Sequence, residues 1–406
     1  MSFVGLAFAY LRRRWGQALL SVVVGALGFA AVTVAVVGFD ALPRAARQAW
    51  GGVDLVVGPK GSALDLVLCC ALHVSPPRGL VSTGEVAALL ANPMVRSTAP
   101  IALGDNVSGW RIVGTTPALL DVYRAKIAAG TIWTDKLQAV AGAGAAHALN
   151  LNLGDSFVGA HGLTDSDEQH DKFPFKLVGI LAPTGSALDR LVLTDIETVR
   201  YVHDEQAKLE RVERGSTDAH DKADGPPDGV TAVVAAYRLP TAAAFMPRQV
   251  DATATLTGAS PTFEIARLLS YLRPVTVAAT GLGLLLVVIA ASGAAVGLMA
   301  TMNARARDLA LLRALGASRA SIATVAVAEA ALIGGAALVL GAVLSFASLA
   351  VGRDLLGEAT GLMLQPELDV EQIAWVLAGT IVVILAAAAF PALRAMHTQI
   401  EELLQS

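Results

Sequence analysis

The stretch RARDLALLRALGASR, from Arg305 to Arg319, lies between two strongly apolar regions of this 406-residue chain. It contains four arginines. On a helical wheel Leu309, Leu312 and Leu315 form one apolar stripe, while the arginines project elsewhere. Gly316 is suited to end such a helix. The sequence therefore predicts a short charged helix at 305–319 that connects two membrane-embedded segments.

The composition indicates a membrane protein. Hydrophobic residues make up 54% of the chain and charged residues 16%, which is too apolar for a typical soluble protein. Four segments are each long and apolar enough for a helix that crosses roughly 30 Å of hydrocarbon. They are 16–39, 275–304, 320–352 and 373–393. The third contains one charged residue, Glu329, and the other three contain none.

The arginines predict the orientation of these helices, because short cytosolic loops carry an excess of Arg and Lys. Arginines precede the first predicted span, occupy 305–319 and follow the fourth span. We therefore expect a cytosolic amphipathic N-terminus at 1–15 and a cytosolic tail at 394–406. The loop at 353–372 is acidic and is expected on the other side of the membrane.

The long connection at 40–274 is expected to be a folded extracytosolic domain of mixed α and β structure. Runs typical of strands are DLVVG (54–58), WRIVGT (110–115), FKLVGIL (175–181) and GVTAVVAAYR (229–238). Ser82 and Glu85 have the spacing of a capping box at the start of a helix. The segment 203–228 is highly charged and is expected to be a flexible insertion. The predicted fold class is an α-helical membrane protein with four transmembrane helices plus a mixed α/β extracytosolic domain.

The chain lacks the chemistry of an ATPase. The dipeptide Gly-Lys, which a phosphate-binding loop requires, does not occur in it. ATP hydrolysis is therefore expected on another chain, and we predict no catalytic residue, metal or cofactor here. Glu329 has two interpretations: a carboxylate that pairs with a loop arginine or reaches the membrane surface, or a group that acts on substrate.

The cysteines and histidines leave alternatives open. Cys69 and Cys70 are either small apolar residues of an amphipathic helix or, with His73, a cluster for a soft metal. Adjacent cysteines form a disulfide only with strain, so no disulfide framework is expected. Four histidines near acidic stretches are either solvated loop residues or a weak zinc site. They are His161, His170, His203 and His220.

The segment RARDLALLRALGASRASIATVAVAEAALIGG resembles the signature of FtsX/MacB-type ABC-transporter permeases. In that signature a charged helix ending in Arg-Ala-Leu-Gly-Ala precedes a span that opens with Glu-Ala. The matching residues are Arg305, Asp308, Leu309, Arg313, Ala314, Leu315, Gly316, Ala317, Glu329 and Ala330. Asp308 stands where the family has glutamate. AGAGAAHALNLNLGDSF and FPALRAMHTQIEELL are similar to further family elements, so the likeness covers nearly the whole chain.

The resemblance implies a permease subunit in the bacterial cytoplasmic (inner) membrane, with both termini cytosolic. It implies that 305–319 is a coupling helix that docks on a separate cytosolic ABC ATPase, which binds ATP and Mg. Without the resemblance, an interfacial helix that lies on the membrane would explain the same stripe. The implied coupling residues are Arg305, Arg307, Asp308, Leu309, Leu312, Arg313, Ala314, Leu315, Gly316 and Ala317.

The resemblance also implies a homodimer, and small residues at helix-packing spacing fit dimerisation or helix packing. They are Gly293, Gly297, Ala337, Gly341 and Ser345. Other expected partners are an extracytosolic adaptor or substrate-binding protein and membrane lipid, with no nucleic acid. Two functions remain open: export or extraction by mechanotransmission, or a membrane regulator that drives or senses an extracytosolic protein such as a cell-wall hydrolase or a metal-binding protein.

Overall fold

The fold is taken from a computed structural model that describes residues 15–161, 173–214, 228–304, 318–360 and 370–397. The chain divides into two compact units. The helical unit comprises Met1–Leu42, Tyr271–Leu355 and Gln365–Ser406. The α/β unit comprises Pro43–Ser270 and Leu356–Leu364.

The α/β unit is built on strands with the following bounds. They are β1 (Leu55–Pro59), β2 (Val81–Ser82), β3 (Val95–Val107), β4 (Trp110–Thr115), β5 (Ile127–Gly130), β6 (Gln138–Ala141), β7 (Ser156–Phe157), β8 (Ala160–His161), β9 (Phe175–Leu181), β10 (Val192–Asp195), β11 (Gly229–Val230), β12 (Ala232–Tyr237) and β13 (Leu256–Ala259). The four predicted strand runs are confirmed, the last of them as β11 and β12.

Eleven of these strands form one mixed sheet in the order β13-β1-β12-β3-β4-β10-β6-β9-β5, with β7 beside β9 and β8 beside β3. Two pairs, β4 with β10 and β6 with β9, are parallel, and the other pairs are antiparallel. Val56 packs into one apolar cluster, whereas its neighbours Leu55 and Val57 pack into another. Because side chains alternate along a strand, the core lies on both faces of the sheet.

Within the described residues the α/β unit has two short 3-10 helices, Ala187–Arg190 and Pro240–Ala244. Its α-helices are also short, apart from one. They are α2 (Ala63–Cys70), α3 (Thr83–Leu90), α4 (Ala118–Tyr123), α5 (Ala143–Ala148), α6 (Ile196–Arg214) and α7 (Met246–Asp251). Helix α6 continues to Arg214, so the predicted flexible insertion at 203–228 begins as helix. Residues 215–227 lie outside the described part of the chain, and the last residue of the predicted insertion, Asp228, is described.

Helix α3 begins as the capping-box spacing predicts. The Ser82 hydroxyl accepts a hydrogen bond from the Glu85 backbone N–H at 3.3 Å. A full capping box would also place the Glu85 carboxylate on the backbone N–H of the N-cap residue. Here that carboxylate accepts a hydrogen bond from the Thr255 hydroxyl at 2.6 Å. Asp228 adds a second cap, since its carboxylate accepts from the Gly84 N–H at 2.9 Å. These contacts stabilise the first turn by satisfying its backbone donors.

Within the described residues the helical unit contains four long helices, three of which have residues assigned to both units. They are α1 (Trp15–Ala49), α8 (Pro261–Ala304), α9 (Arg319–Thr360) and α10 (Val370–His397). Helices α1 and α8 extend beyond the predicted spans 16–39 and 275–304.

By length and composition, three stretches within the described residues can cross a membrane: Trp15–Ala49, Pro261–Gly297 and Val327–Leu355. In α10 the apolar stretch Glu371–Val383 is shorter than a span. Three of the four predicted transmembrane helices are therefore seen, and the crossing by α10 stays a prediction.

Glycines bring the helices of this unit close together. A Cβ atom added at Gly28 of α1 would lie 2.9 Å from the Gly283 carbonyl oxygen of α8. One added at Gly341 of α9 would lie 2.9 Å from the Ala26 carbonyl oxygen of α1. Such short distances leave no room for a side chain, so α1 packs backbone to backbone against both neighbours.

Candidate functional site

The predicted coupling residues lie outside the described part of the chain. They are Arg305, Arg307, Asp308, Leu309, Leu312, Arg313, Ala314, Leu315, Gly316 and Ala317. Their docking on an ATPase therefore stays a prediction. Within the described residues, the candidate sites are the buried polar groups, the small residues of the helices and the cavities.

Glu329 lies in α9, and its side chain is 8% exposed. The next residue, Ala330, lines a cavity of about 40 Å³ between α1, α8, α9 and α10. Apolar side chains such as Phe29 and Val287 make up most of its wall, and the hydroxyl groups come from Ser21 and Thr380. The wall of this cavity is therefore largely apolar.

The predicted packing residues lie on α8 and α9. Ala337 approaches Gly25 of α1, where an added Cβ atom would lie 3.2 Å from the Ala337 Cβ. Ser345 is buried and donates its hydroxyl hydrogen to the Gly341 carbonyl oxygen at 2.7 Å. Cβ atoms added at Gly293 and Gly297 would lie 3.8 and 3.9 Å from polar side chains of α1. These contacts lie within one chain, and the homodimer stays a prediction.

Two of the four histidines neighbour Asp105 in the fold, one through its side chain and one through backbone strand pairing. His203 Nε2 lies 3.9 Å from the buried Asp105 Oδ1, and His161 is the strand partner of Asp105. His170 and His220 lie outside the described residues. In the part of the chain that the structure describes, no group of three or more His, Cys, Asp or Glu side chains could hold a metal ion. The weak zinc site therefore stays a prediction.

Cys69 and Cys70 end helix α2, and both side chains are buried in the main apolar cluster of the α/β unit. Cys69 also lines a cavity of about 310 Å³. The cavity wall includes Lys60, Ser62 and Asp65. Hydrogen bonding to the Cys70 thiol lowers the pKa of Cys69, burial opposes this by raising it, and the charge of Arg111 lowers it by a smaller amount. The same hydrogen bond and burial raise the pKa of the Cys70 thiol.

Arg111 of β4 lies close to these thiols and is 6% exposed. Its Nη2 donates to the Ser75 carbonyl oxygen at 2.7 Å, and its Nε has no hydrogen-bond partner among the described residues. Burial lowers the pKa of Arg111, whereas charge on Cys69 and Cys70 raises it.

His73 follows α2 in the left-handed backbone region, with φ of 56°. The side chain is 8% exposed, and neither ring nitrogen has a hydrogen-bond partner among the described residues. Burial, with a smaller contribution from Arg111, lowers the pKa of His73 to about 3. The imidazole is therefore neutral at pH 7.

Two protein-family models match most of the chain. Residues 18–236 match the MacB-like periplasmic core domain. Residues 280–400 match the FtsX-like permease C-terminal domain. The chain belongs to the FtsX/MacB-type permease family. It is an ABC-transporter permease subunit and a non-catalytic, multi-pass component of the bacterial inner membrane with a periplasmic domain.

Two solved structures are similar to part of the permease. The crystal structure of the periplasmic region of MacB from Actinobacillus actinomycetemcomitans has 13% identity and a TM-score of 0.34, and the match covers 55% of the permease and 95% of that chain. The extracellular domain of the noncanonic ABC-type transporter YknZ from Gram-positive bacteria has 9% identity and a TM-score of 0.29, with coverage of 51% and 99%. No curated protein sequence matches the permease significantly.

The burial of Arg111 is a feature of this region that the sequence does not reveal. The alternating pattern of WRIVGT (110–115) predicts that the Arg111 side chain faces solvent. In the permease it is buried because the segment after α2 covers it through Ser75. The sequence signal was limited to the adjacent cysteines and His73.

Proposed function

We propose that this permease couples ATP hydrolysis by a separate cytosolic ABC ATPase to motion of its extracytosolic domain, which drives export or extraction. The observation that carries the proposal is the match to both family models along one chain that has no Gly-Lys dipeptide. ATP and Mg bind the partner ATPase. The permease works as a homodimer with both termini in the cytosol.

Packing in the helical unit supports transmission of force rather than an aqueous path. Helix α1 approaches α8 and α9 through glycines, with backbone-level contact at Gly28 and Gly341. The cavity of about 40 Å³ between the helices is lined mainly by apolar side chains. Tightly packed helices move as units, so displacement at one end is carried to the other.

The coupling segment 305–319 is the proposed contact with the ATPase. Its leucine stripe is too large for so short a loop to bury, and a groove on the ATPase covers it. Leu312→Asp places a carboxylate in this apolar contact, which costs on the order of 2–4 kcal/mol of docking free energy. That corresponds to roughly a 30- to 1,000-fold loss of affinity.

The experiment co-expresses the full chain with its ATPase and measures co-purification and permease-stimulated ATP hydrolysis. Leu312→Asp and Arg313→Glu should lose both, whereas Arg313→Lys, which keeps the charge, should retain them. All variants should still insert in the membrane. Unchanged co-purification and stimulation in both disruptive variants would instead indicate an interfacial helix. ATP turnover by the permease alone would also contradict the proposal.

A further inference from the structure

The turn at 184–190 is fixed to the core of the α/β unit. Leu188 is fully buried in the main apolar cluster. The Asp189 carboxylate is 4% exposed and accepts a hydrogen bond from the Gly185 backbone N–H at 2.7 Å. An apolar anchor and a buried, hydrogen-bonded carboxylate therefore hold the backbone that leads to Arg190.

Arg190 caps the C-terminal end of α9. Its Nη1 donates a hydrogen bond to the Gly357 carbonyl oxygen at 3.3 Å. Helix α9 ends at Thr360, and the last four carbonyl groups of a helix lack a partner within it. The last turn of α9 contains no basic residue of its own. A cation from the turn at 184–190 therefore satisfies a carbonyl and also interacts favourably with the helix dipole.

Trp110 of β4 also contacts the guanidinium of Arg190. The distance from the Arg190 Cζ to the centroid of the Trp110 ring is 5.7 Å, which is within the range of a cation–π interaction. Burial lowers the pKa of Arg190, but a guanidinium stays charged at neutral pH. One side chain thus joins the turn at 184–190, the sheet and the last turn of α9.

The same turn contacts the end of α1. A Cβ atom added at Gly185 would collide with the Gln48 Nε2 atom in the last turn of α1. Gly185 also has φ of 69°, a backbone conformation that favours glycine. Gln48 and Gly357 both belong to the α/β unit. The turn at 184–190 is therefore a point in this unit where the ends of two long helices contact one segment of the core.

The long helices are connected to the sheet in different ways. The chain passes from α1 to β1 and from β13 to α8, so these two helices are linked to strands by the backbone. Helix α9 comes between α8 and α10 in the chain and has no such link. A displacement of α9 therefore reaches the sheet through contacts, and the hydrogen bond from Arg190 is such a contact.

We propose that Arg190 is a positioning residue that fastens the last turn of α9 to the turn at 184–190, and that displacement of α9 enters the α/β unit at this junction. The inference rests on the proposed function in one respect, because ATP hydrolysis by the partner is the source of that displacement. A kink introduced into α9 displaces the helix without ATP, so the junction can be tested separately.

The first measurement is hydrogen–deuterium exchange of the full chain in detergent, read by mass spectrometry of peptides. Arg190→Ala should speed exchange in the last turn of α9 by about five- to thirtyfold, because the capping hydrogen bond is lost. Arg190→Lys keeps a charged donor and should exchange more slowly than Arg190→Ala. Arg200→Ala is the matched control, since Arg200 pairs with Glu197 of its own helix, and should match the wild type.

The second measurement distinguishes transmission from local capping. Gly352→Pro kinks α9 near its end, because proline removes a backbone donor and clashes with the preceding turn. Gly352→Ala is its control, since nothing lies within 4 Å of an added Cβ atom there. The kink should raise exchange at 184–190 when Arg190 is present and leave it unchanged in an Arg190→Ala background. A cap with a purely local role would change exchange in α9 alone.

The complex with the co-expressed ATPase provides the displacement in its native form. ATP should change exchange at 184–190 in the wild type, whereas Arg190→Ala should keep co-purification and ATP hydrolysis but lose this change. A wild type that responds to the kink but not to ATP would contradict the proposed function and support the junction. The inference is overturned if Arg190→Ala leaves exchange in α9 unchanged, or if the kink or ATP alters 184–190 equally with and without Arg190.

Discussion

His73 makes the stability of the permease depend on pH. The folded-state pKa is about 3, below the ordinary value of 6.5. The unfolded chain therefore binds more protons between these values, and the free energy of unfolding falls as the pH drops from about 6.5 towards 3. The loss amounts to about 2–3 kcal/mol between pH 6.5 and pH 4.5.

The prediction is that His73→Asn, which tolerates the left-handed backbone, flattens this pH dependence. Thermal unfolding of the full chain in detergent would be followed by fluorescence of the buried Trp50 and Trp133. His147→Asn, at an exposed histidine, is the matched control and should leave the pH dependence as in the wild type. An equally steep acid loss in His73→Asn would contradict the prediction.

Asp228 lies 144 residues after Gly84 in the sequence and stabilises the first turn of α3 by direct contact. Its carboxylate accepts hydrogen bonds from the Gly84 N–H and from the hydroxyls of Thr83 and Ser82, which hold its pKa well below the ordinary value. The stabilisation is therefore fully present above the ordinary aspartate pKa of about 3.9 and is lost as the pH falls through the lowered value.

Asp228→Asn should accordingly lower the Tm at pH 7, and the difference from the wild type should narrow as the pH drops below about 3.9. Asp204→Asn, at an exposed residue of α6, is the control and should leave the Tm unchanged. Equal Tm values for Asp228→Asn and the wild type at pH 7 would show that this cap is not stabilising.

At the scale of elements, the sequence predicts strands where large or branched side chains alternate, as in β1, β4, β9 and β12. It does not reveal β5 or β13, with sequences IAAG and LTGA, because small side chains carry little strand preference. Pairing with β9 and β1 fixes these two strands. The burial of Arg111 likewise depends on a contact with Ser75, 36 residues away, which no local pattern contains.

Helix packing gives an element-scale prediction with an internal control. Gly341→Ala adds a methyl group 2.9 Å from the Ala26 carbonyl oxygen. By contrast, nothing lies within 4 Å of a Cβ atom added at Gly335. Both glycines lie in α9, so the two substitutions change helix propensity by the same amount. Gly341→Ala should destabilise the helical unit by about 1–3 kcal/mol.

The measurement is the fraction of detergent-solubilised protein that stays monodisperse after heating. Gly335→Ala should behave like the wild type or slightly better. If both variants match the wild type, α1 and α9 are not packed as closely as Gly341 indicates.

At the scale of the whole molecule, apolar composition was sufficient to predict the helical unit, although its residues come from three separate parts of the chain. Composition is a local property, and each of the three stretches that can cross a membrane is long enough to show it. The arginine excess predicts that the α/β unit lies outside and that the loop at 305–319 is cytosolic. Whether α10 crosses the membrane decides where the C-terminal tail lies.

The last prediction tests this topology in a Cys69→Ser, Cys70→Ser background, which has no other cysteine. Single cysteines are introduced by Ala254→Cys, Ser318→Cys and Gln405→Cys, and intact cells with a permeabilised outer barrier are treated with an impermeant thiol reagent. Ala254→Cys should be labelled, and the other two should be labelled only after lysis, because each added crossing reverses the side. Labelling of Gln405→Cys together with Ala254→Cys would mean that α10 does not cross. Labelling of Ser318→Cys but not Ala254→Cys would reverse the orientation and contradict the cytosolic position of the coupling segment.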